Sequence, residues 1–328
     1  MQRVQIGIST YNDHRYLSLL LQSIRWYTYL DDEGFDLVVC DDGTTNNDVV
    51  EETRKVCAYF GATFIWHKRN MGIPATWNHL VEALHGDIIV LLNNDLLMPP
   101  NWLRVAVYFL DANKDNPHVG SCFWNPINRV PYGAMQAILP MLSHTLFLTA
   151  DQLTNNDLGY LAEQGVPNVS SLQGDGQGLG RVMCPCGCCF AFTRAVWDEV
   201  GPFDERLTSF HEESDWGTRC ASYKRASFGF AYPRPYHTHG YTFGANPELQ
   251  ASERMRASRA LYREKWHVPD TVGPHEYFNF VNEQLMTQIP KTPLRYLVPD
   301  YSSEPETRKL PGGETIYTPR LVEHEGEF

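Results

Sequence analysis

The chain has 328 residues, of which 43% are hydrophobic and 20% charged, and this composition is typical of a folded protein rather than a disordered one. The length allows two domains, or one elaborated domain with an extension. A net charge of −12 argues against a broad, non-specific nucleic-acid surface. It does not exclude a nucleotide, whose phosphates can be met by a metal ion and a few basic groups.

From the sequence we expect neither a membrane span nor a secretion signal. Apolar runs stay below the about 18 residues of a membrane span. The N-terminal segment Met1–Ile6 enters a strand pattern at once and lacks the apolar core of a signal peptide. We therefore expect a cytoplasmic protein with no membrane span, in which the eight cysteines are thiols.

Short apolar runs alternate with helical patterns over the first 125 residues. This rhythm predicts an α/β fold with a parallel, doubly wound sheet. The predicted strands are Val4–Ser9, Leu37–Cys40, Thr63–Trp66 and Ile88–Leu92. The predicted helices are Tyr16–Tyr29, Val49–Phe60, Ala75–Leu84 and Trp102–Leu110.

The rest of the chain is less regular. A glycine-rich run at 173–180 lacks a Walker lysine and a clear preceding strand, so it predicts a mobile loop over an active site rather than a phosphate cradle. Cys188–Thr193 and Phe228–Tyr232 have strand patterns. Beyond residue 290 the prolines and glutamates predict an extended arm or a partly disordered tail.

Polar residues follow three of the predicted strands. Asn93, Asn94 and Asp95 come directly after Ile88–Leu92, at the strand end where open α/β sheets bind ligands. One carboxylate beside two carboxamides predicts a site for a metal ion and a diphosphate.

The ends of the first two strands carry Ser9–Asp13 and the pair Asp41 and Asp42. Adjacent aspartates can accept hydrogen bonds from a base edge or from ribose hydroxyls, and Tyr11 can stack on a base. Taken alone, Asp42 and the glycine after it could form only an acidic turn. Together with Asp95 on the same sheet edge, the segments predict a nucleotide site.

The order of these motifs resembles family 2 glycosyltransferases of the GT-A fold. The resemblance lies in Ile8–Asn12, Asp41–Thr44, Asn70–Asn78, Gly86–Asp95 and Cys188–Glu205, and it covers most of residues 4–266. It implies a Rossmann-like, mainly parallel central sheet flanked by helices. It also implies a nucleotide-sugar-binding half at 1–125, an acceptor-binding and catalytic half of the same domain at 126–268, and a C-terminal extension at 269–328.

The resemblance implies an inverting, metal-assisted transfer of a hexosyl or deoxyhexosyl group. The donor would be a nucleotide-sugar, with a UDP-sugar expected first, and the acceptor would be a hydroxyl of a glycan or another molecule. The residues expected to hold the donor are Thr10, Tyr11, Asp13, Asp41, Asp42, Asn70, Asn93, Asn94, Arg256 and Arg259.

The metal motif departs from the family pattern, which is usually Asp-x-Asp. Asn93 takes the first position, and Asp95 keeps the last, where the resemblance implies that it binds Mn²⁺ or Mg²⁺. Because a neutral amide attracts a hard cation less, we expect loose metal binding until the nucleotide adds phosphate oxygens. His237 fits the spacing of a family histidine that can complete the metal site, and His239 is the second candidate; either could be an ordinary surface or core histidine.

The acidic segment 210–219 resembles the family segment that opens a helix beside the acceptor site. The match puts the general base at Glu213, where Asp is usual, and Asp215 is the second candidate. A base must reach the attacking hydroxyl, and a raised pKa helps it. The alternative is that these acids only favour the start of a helix.

Three further groups have two interpretations each. Arg256, Arg259 and Arg263 share one helical stripe, which predicts contact with a diphosphate or an anionic acceptor, or else a solvated face. The tryptophans Trp77, Trp124 and Trp216 could stack on sugars, although we expect core packing for at least two. Four cysteines within 184–189 invite a zinc site, but thiols this close in sequence do not readily converge on one ion, so we expect reduced structural thiols.

Two other functions stay open. Asn93 and Glu213 are compatible with a catalytically inactive sugar- or nucleotide-binding module. A sugar-nucleotidyltransferase would need a glycine-rich phosphate loop near the N-terminus, and Ser9–Arg15 lacks the glycines. The sequence leaves the donor base, the acceptor and the oligomeric state open, although its acidity disfavours a nucleic-acid acceptor.

Overall fold

The computed structural model describes residues 3–28, 34–141, 179–208, 210–246, 249, 251–273, 276–300, 302–310, 313 and 315–328. The predicted loop at 173–180 lies outside these ranges except for its last two residues, which begin a strand.

The strands alternate with helices over the first 112 residues, as the sequence predicts. The strands are β1 Val4–Thr10, β2 Phe35–Asp41, β3 Thr63–Trp66, β4 Ile88–Asn93, β5 Leu96–Leu97, β6 Val119–Trp124, β7 Ile127–Asn128, β8 Leu179–Val182, β9 Cys189–Thr193, β10 Ala226–Phe230, β11 Tyr236–His237, β12 Pro293–Asp300, β13 Glu306–Lys309, β14 Thr315–Thr318 and β15 Arg320–Glu327. The helices are α1 Arg15–Tyr27, α2 Asn47–Phe60, α3 Ile73–Ala83, α4 Trp102–Ala112, α5 Tyr132–Ile138, α6 Arg194–Val200, α7 Glu212–Ser222, α8 Tyr241–Ala245, α9 Ala251–Lys265 and α10 Tyr277–Met286. Within the described ranges, no helix combines the length and apolar character needed to cross a membrane.

The central sheet has eight strands in the order β3-β2-β1-β4-β9-β6-β10-β8. The pairs β1–β2, β1–β4, β2–β3 and β6–β10 are parallel. This confirms the predicted mainly parallel sheet flanked by helices, with a C-terminal extension. The sheet also contains antiparallel pairs, because β9 runs antiparallel to both β4 and β6 and β8 runs antiparallel to β10. A strand buried on both faces has the same apolar pattern in either direction, so the sequence did not reveal the reversal.

The two faces of the sheet bury different helices because alternate side chains of a strand point to opposite faces. Val90 and Leu92 pack in one core cluster with α1 and α4. Ile89 and Leu91 pack in another with α3, around Trp77. Every residue of β4 before Asn93 is buried, which accounts for its unbroken apolar run.

Two of the three candidate sugar-stacking tryptophans belong to the core. Trp124 and Trp216 are both 0% exposed, so neither can stack on a sugar. The Trp124 Nε1 donates to the carbonyl of Trp102, and the Trp216 Nε1 donates to the carbonyl of Gly201. Trp77 is also buried, although it forms part of a cavity wall described below.

The C-terminal extension is not the extended arm or partly disordered tail that its prolines predict. β12 pairs with β15 and β13 pairs with β14, both antiparallel. The Asn113 side chain at the end of α4 accepts from the Arg295 amide at 3.0 Å and donates to the Arg295 carbonyl at 2.7 Å. Leu294 and Tyr296 on alternate positions of β12 are buried in the main core. Alternation of this kind, rather than composition, was the signal for a strand.

Helix α7 is fixed by a buried carboxylate. Asp215 is 0% exposed and accepts hydrogen bonds from Arg219 Nε at 3.1 Å, Lys265 Nζ at 2.9 Å and Trp266 Nε1 at 3.0 Å. Since a buried carboxylate without hydrogen-bond partners is very costly, these three donors compensate for its removal from water. The contacts join the first turn of α7 to the end of α9.

We predict that Asp215→Asn lowers the free energy of unfolding by about 3 kcal/mol, because it removes the negative partner of two partly buried cations. Urea unfolding followed by circular dichroism measures the change. The control is Asp111→Asn, which breaks an exposed ion pair with Lys114. It should lower the free energy of unfolding by less than about 0.5 kcal/mol. Equal losses in both variants would show that the network contributes nothing beyond a surface pair.

Candidate active site

A cavity of about 440 Å³ opens at the carboxyl ends of β1, β2 and β4. Helix α7 and the segment around β11 form its other wall. The predicted site residues that line it are Thr10, Tyr11, Asp42, Asn70, Asn93, Asn94, Asp95, Glu213, His237 and His239. The strand ends and the acidic helix, which are far apart in the sequence, therefore meet around one space.

The end of β1 is held to the end of β4 by polar side chains. The Asn94 Nδ2 donates to Thr10 Oγ1 at 3.1 Å, and Thr10 Oγ1 donates to the Asp13 carbonyl at 3.0 Å. Asp13 itself does not line the cavity. Its Oδ1 accepts from the amides of Arg15 at 2.6 Å and Tyr16 at 3.1 Å, so it stabilises the start of α1.

Asp42 lines the cavity and also anchors a turn through its hydrogen bonds. Its Oδ1 accepts from the Met71 amide at 2.7 Å and contacts His67 Nδ1 at 3.2 Å, while its Oδ2 accepts from the Gly72 amide at 3.0 Å. Gly72 has φ of 91°, and a Cβ there would lie 2.5 Å from the Thr208 carbonyl oxygen, so only glycine fits this close approach.

Asp41, the residue before Asp42, does not line the cavity. Its Oδ1 accepts from the Thr44 amide at 2.7 Å, and its Oδ2 has no hydrogen-bond partner in the described part of the chain. Burial raises the pKa of the Asp41 carboxyl. Its position supports the turn that carries Asp42.

Asp95 and His237 form the part of the cavity that suits a metal ion. The Asp95 Oδ1 lies 3.3 Å from His237 Nε2, and the two residues are 4% and 6% exposed. The Asn128 Oδ1 is 2.8 Å from His237 Nδ1. A proton on Nδ1, donated to Asn128, leaves the Nε2 lone pair on the side of Asp95. One carboxylate oxygen and one imidazole nitrogen fit Mn²⁺ or Mg²⁺ when phosphate oxygens and water complete the shell.

Glu213 lines the same cavity from the first turn of α7. Burial raises the pKa of its carboxyl to about 7. Gly187 packs against this side chain, since a Cβ at Gly187 would lie 3.1 Å from the Glu213 carboxyl carbon. The neighbouring Glu212 is buried, and its Oε2 has no hydrogen-bond partner among the described residues. Burial and the Glu213 carboxyl raise the pKa of Glu212 as well.

Asp215, the second candidate base, does not reach the cavity, because its carboxylate is enclosed by Arg219, Lys265 and Trp266. Both oxygens are occupied there, so the side chain has no access to a substrate in this structure. It anchors the helix that carries Glu213.

The basic residue at the cavity wall is Arg254. Its Nη2 donates to Asn70 Oδ1 at 3.2 Å. This hydrogen bond joins α9 to the turn that Asp42 anchors. Arg256 is exposed, and neither it nor Arg259 lines the cavity. The three- and four-residue spacing identified the stripe but could not show which part of the helix faces the site.

Sequence reasoning missed several residues of the lining, namely Glu212, Asn128, Phe210, Cys186 and Cys188. The sequence did contain a signal for Glu212, because it is the first acidic residue of the segment 210–219 that resembles the family segment beside the acceptor site. Three of the four clustered thiols also converge, contrary to expectation: the sulfurs of Cys186, Cys188 and Cys189 lie within 4.8 Å of one another. Hydrogen bonds from the Cys188 and Cys189 thiols hold the pKa of Cys186 below its usual range.

Comparison with known proteins gives several similar chains. A putative glycosyltransferase of Bacillus subtilis, EpsE, is 26% identical over 121 residues, which are 36% of this chain and 42% of EpsE. The solved structure of Staphylococcus aureus TarS, residues 1–349, is 14% identical, covers 88% of this chain and 70% of that one, and has a TM-score of 0.49. The mannosyltransferase PcManGT of Pyrobaculum calidifontis, solved with GDP-Man and Mn²⁺, is 15% identical over 88% of this chain and 73% of that one, with a TM-score of 0.48.

The family model of glycosyl transferase family 2 matches residues 5–201. This range includes the three strand ends that form one wall of the cavity and the strand and helix that follow the thiol cluster. It covers more than half of the chain, in agreement with the resemblance of the motifs. The chain belongs to glycosyl transferase family 2.

Proposed function

We propose that this protein is an inverting glycosyltransferase that moves a hexosyl or deoxyhexosyl group from a nucleoside diphosphate donor to an acceptor hydroxyl, with the help of a divalent metal. The observation that carries the proposal is the shared cavity: the Asp95–His237 pair and the Glu213 side chain line the same space. The reaction joins the anomeric carbon to the acceptor oxygen and releases a nucleoside diphosphate and one proton.

The donor would lie along the strand ends. Asp42, Asn70 and Tyr11 line the cavity where the nucleoside would bind, with a UDP-sugar as the first donor to test. Asp95 and His237 would hold Mn²⁺ or Mg²⁺, which balances the charge of the leaving diphosphate when bound. Asn128 orients the His237 ring, because it accepts from Nδ1 and so sets which nitrogen faces Asp95.

Glu213 would act as the base. In an inverting transfer the acceptor hydroxyl approaches the anomeric carbon opposite the leaving group, and Glu213 is a carboxylate within the same cavity that would serve this hydroxyl. The Glu213 Oε would take the hydroxyl proton as the new bond forms. A pKa of about 7 makes the ionised form a stronger base than an exposed glutamate and still leaves it well populated at neutral pH.

We predict that one of UDP, GDP and dTDP binds in the presence of Mn²⁺ and that Asp95→Ala abolishes the metal-dependent part of the binding, because it removes the oxygen ligand. Isothermal titration calorimetry with and without Mn²⁺ measures this. Asp198→Ala, which removes an exposed carboxylate on α6, is the control and should bind as the unmodified protein does. If the folded protein bound none of the three nucleotides with Mn²⁺ present, the donor assignment would be refuted.

We predict that Glu213→Gln lowers kcat by about 10²–10⁴-fold, because an amide cannot take the acceptor proton, while nucleotide binding stays unchanged. Donor turnover is followed by the release of nucleoside diphosphate, first without acceptor and then with a panel of glycans. The control is Glu82→Gln on the exposed face of α3, which should keep full activity. A binding module without catalysis would release no nucleoside diphosphate in any variant.

We predict that kcat/KM falls about tenfold per pH unit below pH 7, because protonation removes the basic form of Glu213. The groups whose charges act on this carboxyl, or respond to it, are Glu212, Cys184, Cys186 and Tyr262. Initial rates at saturating Mn²⁺ across neutral pH measure the profile. The acid limb should be absent from the residual activity of Glu213→Gln; an unchanged limb there would assign it to another group.

A further inference from the structure

The segment between β8 and β9 brings three thiols together. The Cys186 Sγ lies 3.3 Å from Cys188 Sγ, and Cys188 Sγ lies 3.5 Å from Cys189 Sγ. All three sulfurs lie within 4.8 Å of one another. The proposed transfer assigns no role to any of the three thiols.

A tight turn produces this convergence. The Cys189 amide donates to the Cys186 carbonyl at 3.2 Å, which closes a turn around Gly187 and Cys188. The turn reverses the chain just before β9, so side chains that an extended strand would separate point to one place. Cys188 and Cys189 are 6% and 0% exposed, while Cys186 is partly exposed at the cavity wall.

We propose that Cys186, Cys188 and Cys189 form a binding site for a thiophilic cation of the Zn²⁺ class. Zn–S bonds of about 2.3 Å in tetrahedral geometry place two sulfurs about 3.8 Å apart. The sulfurs here are already near this spacing, so the site needs only small side-chain adjustments. Binding releases the thiol protons, and three thiolates leave a tetrahedral ion one position for water or for a group in the cavity.

The donor atoms separate this site from the proposed diphosphate metal site. Asp95 and His237 offer oxygen and nitrogen, which suit Mn²⁺ or Mg²⁺ once phosphate is present, whereas three sulfurs select a soft cation. The cavity would therefore hold two ions of different chemistry. Gly187, which lies between two of the thiols, packs against Glu213, so the soft site adjoins the residue proposed as the base.

The test uses the full-length, reduced protein after removal of metals. Co²⁺ is added in the presence of saturating Mn²⁺, and the near-ultraviolet sulfur-to-cobalt absorption reports thiolate ligation; Zn²⁺ then displaces the Co²⁺. We expect one equivalent to bind with this absorption. We expect Cys186→Ser and Cys188→Ser each to weaken Zn²⁺ binding by at least about tenfold.

The matched control is Cys184→Ser, which lies two residues from Cys186 but outside the sulfur cluster. It should bind Zn²⁺ as the unmodified protein does, and circular dichroism checks that every variant is folded. Absence of thiolate absorption in the folded protein, or equal loss in all three variants, would overturn the proposal. The result does not depend on the transferase assignment, because Asp95→Ala, which lacks the ligand proposed for the diphosphate metal, should retain Zn²⁺ at the thiols.

Discussion

The position of the proposed base depends on a buried ion pair that takes no part in the chemistry. Asp215 is enclosed by Arg219 on its own helix and by Lys265 and Trp266 at the end of α9. A carboxylate at 0% exposure is tolerated only with such partners, so these contacts hold the first turn of α7 in position. Glu213 lies two residues earlier in that turn and is held at the cavity wall as a consequence.

The same helix α9 also reaches the donor side. Its C-terminal end holds Asp215, while Arg254 in its first turn bonds to Asn70, next to the turn that Asp42 anchors. One helix of 15 residues thus connects the helix that carries the proposed base with the turn proposed to hold the nucleoside. A helix that joins two parts of the cavity favours the precise positioning of two substrates.

The sequence was sufficient to predict features that depend only on residues close together along the chain. Apolar runs and the polar residues after them located β1, β2 and β4 and placed Asp42 and Asp95 at one sheet edge, as the cavity shows. It was insufficient where partners lie far away along the chain. Nothing near Asp215 reveals that Lys265 and Trp266, about 50 residues later, take up its oxygens.

Direction and register were the other features that local patterns could not provide. The apolar run of β9 is the same for a parallel and an antiparallel strand, and the arginine stripe of α9 does not show that Arg254 rather than Arg256 faces the cavity. The convergence of three thiols was not expected, because thiols this close in a partly strand-like segment do not readily meet at one point. A turn closed by one backbone hydrogen bond between Cys186 and Cys189 brought them together.

Gly72 has a consequence for how the substrate range of this protein can change. At Gly72 the turn that Asp42 anchors contacts the Thr208 carbonyl directly through the main chain, with no side chain between them. The spacing of these two segments is consequently a property of the main chain, and no substitution at position 72 can change it by degrees. Substitutions that change the substrate range are therefore expected among the side chains that line the cavity, while this contact stays constant.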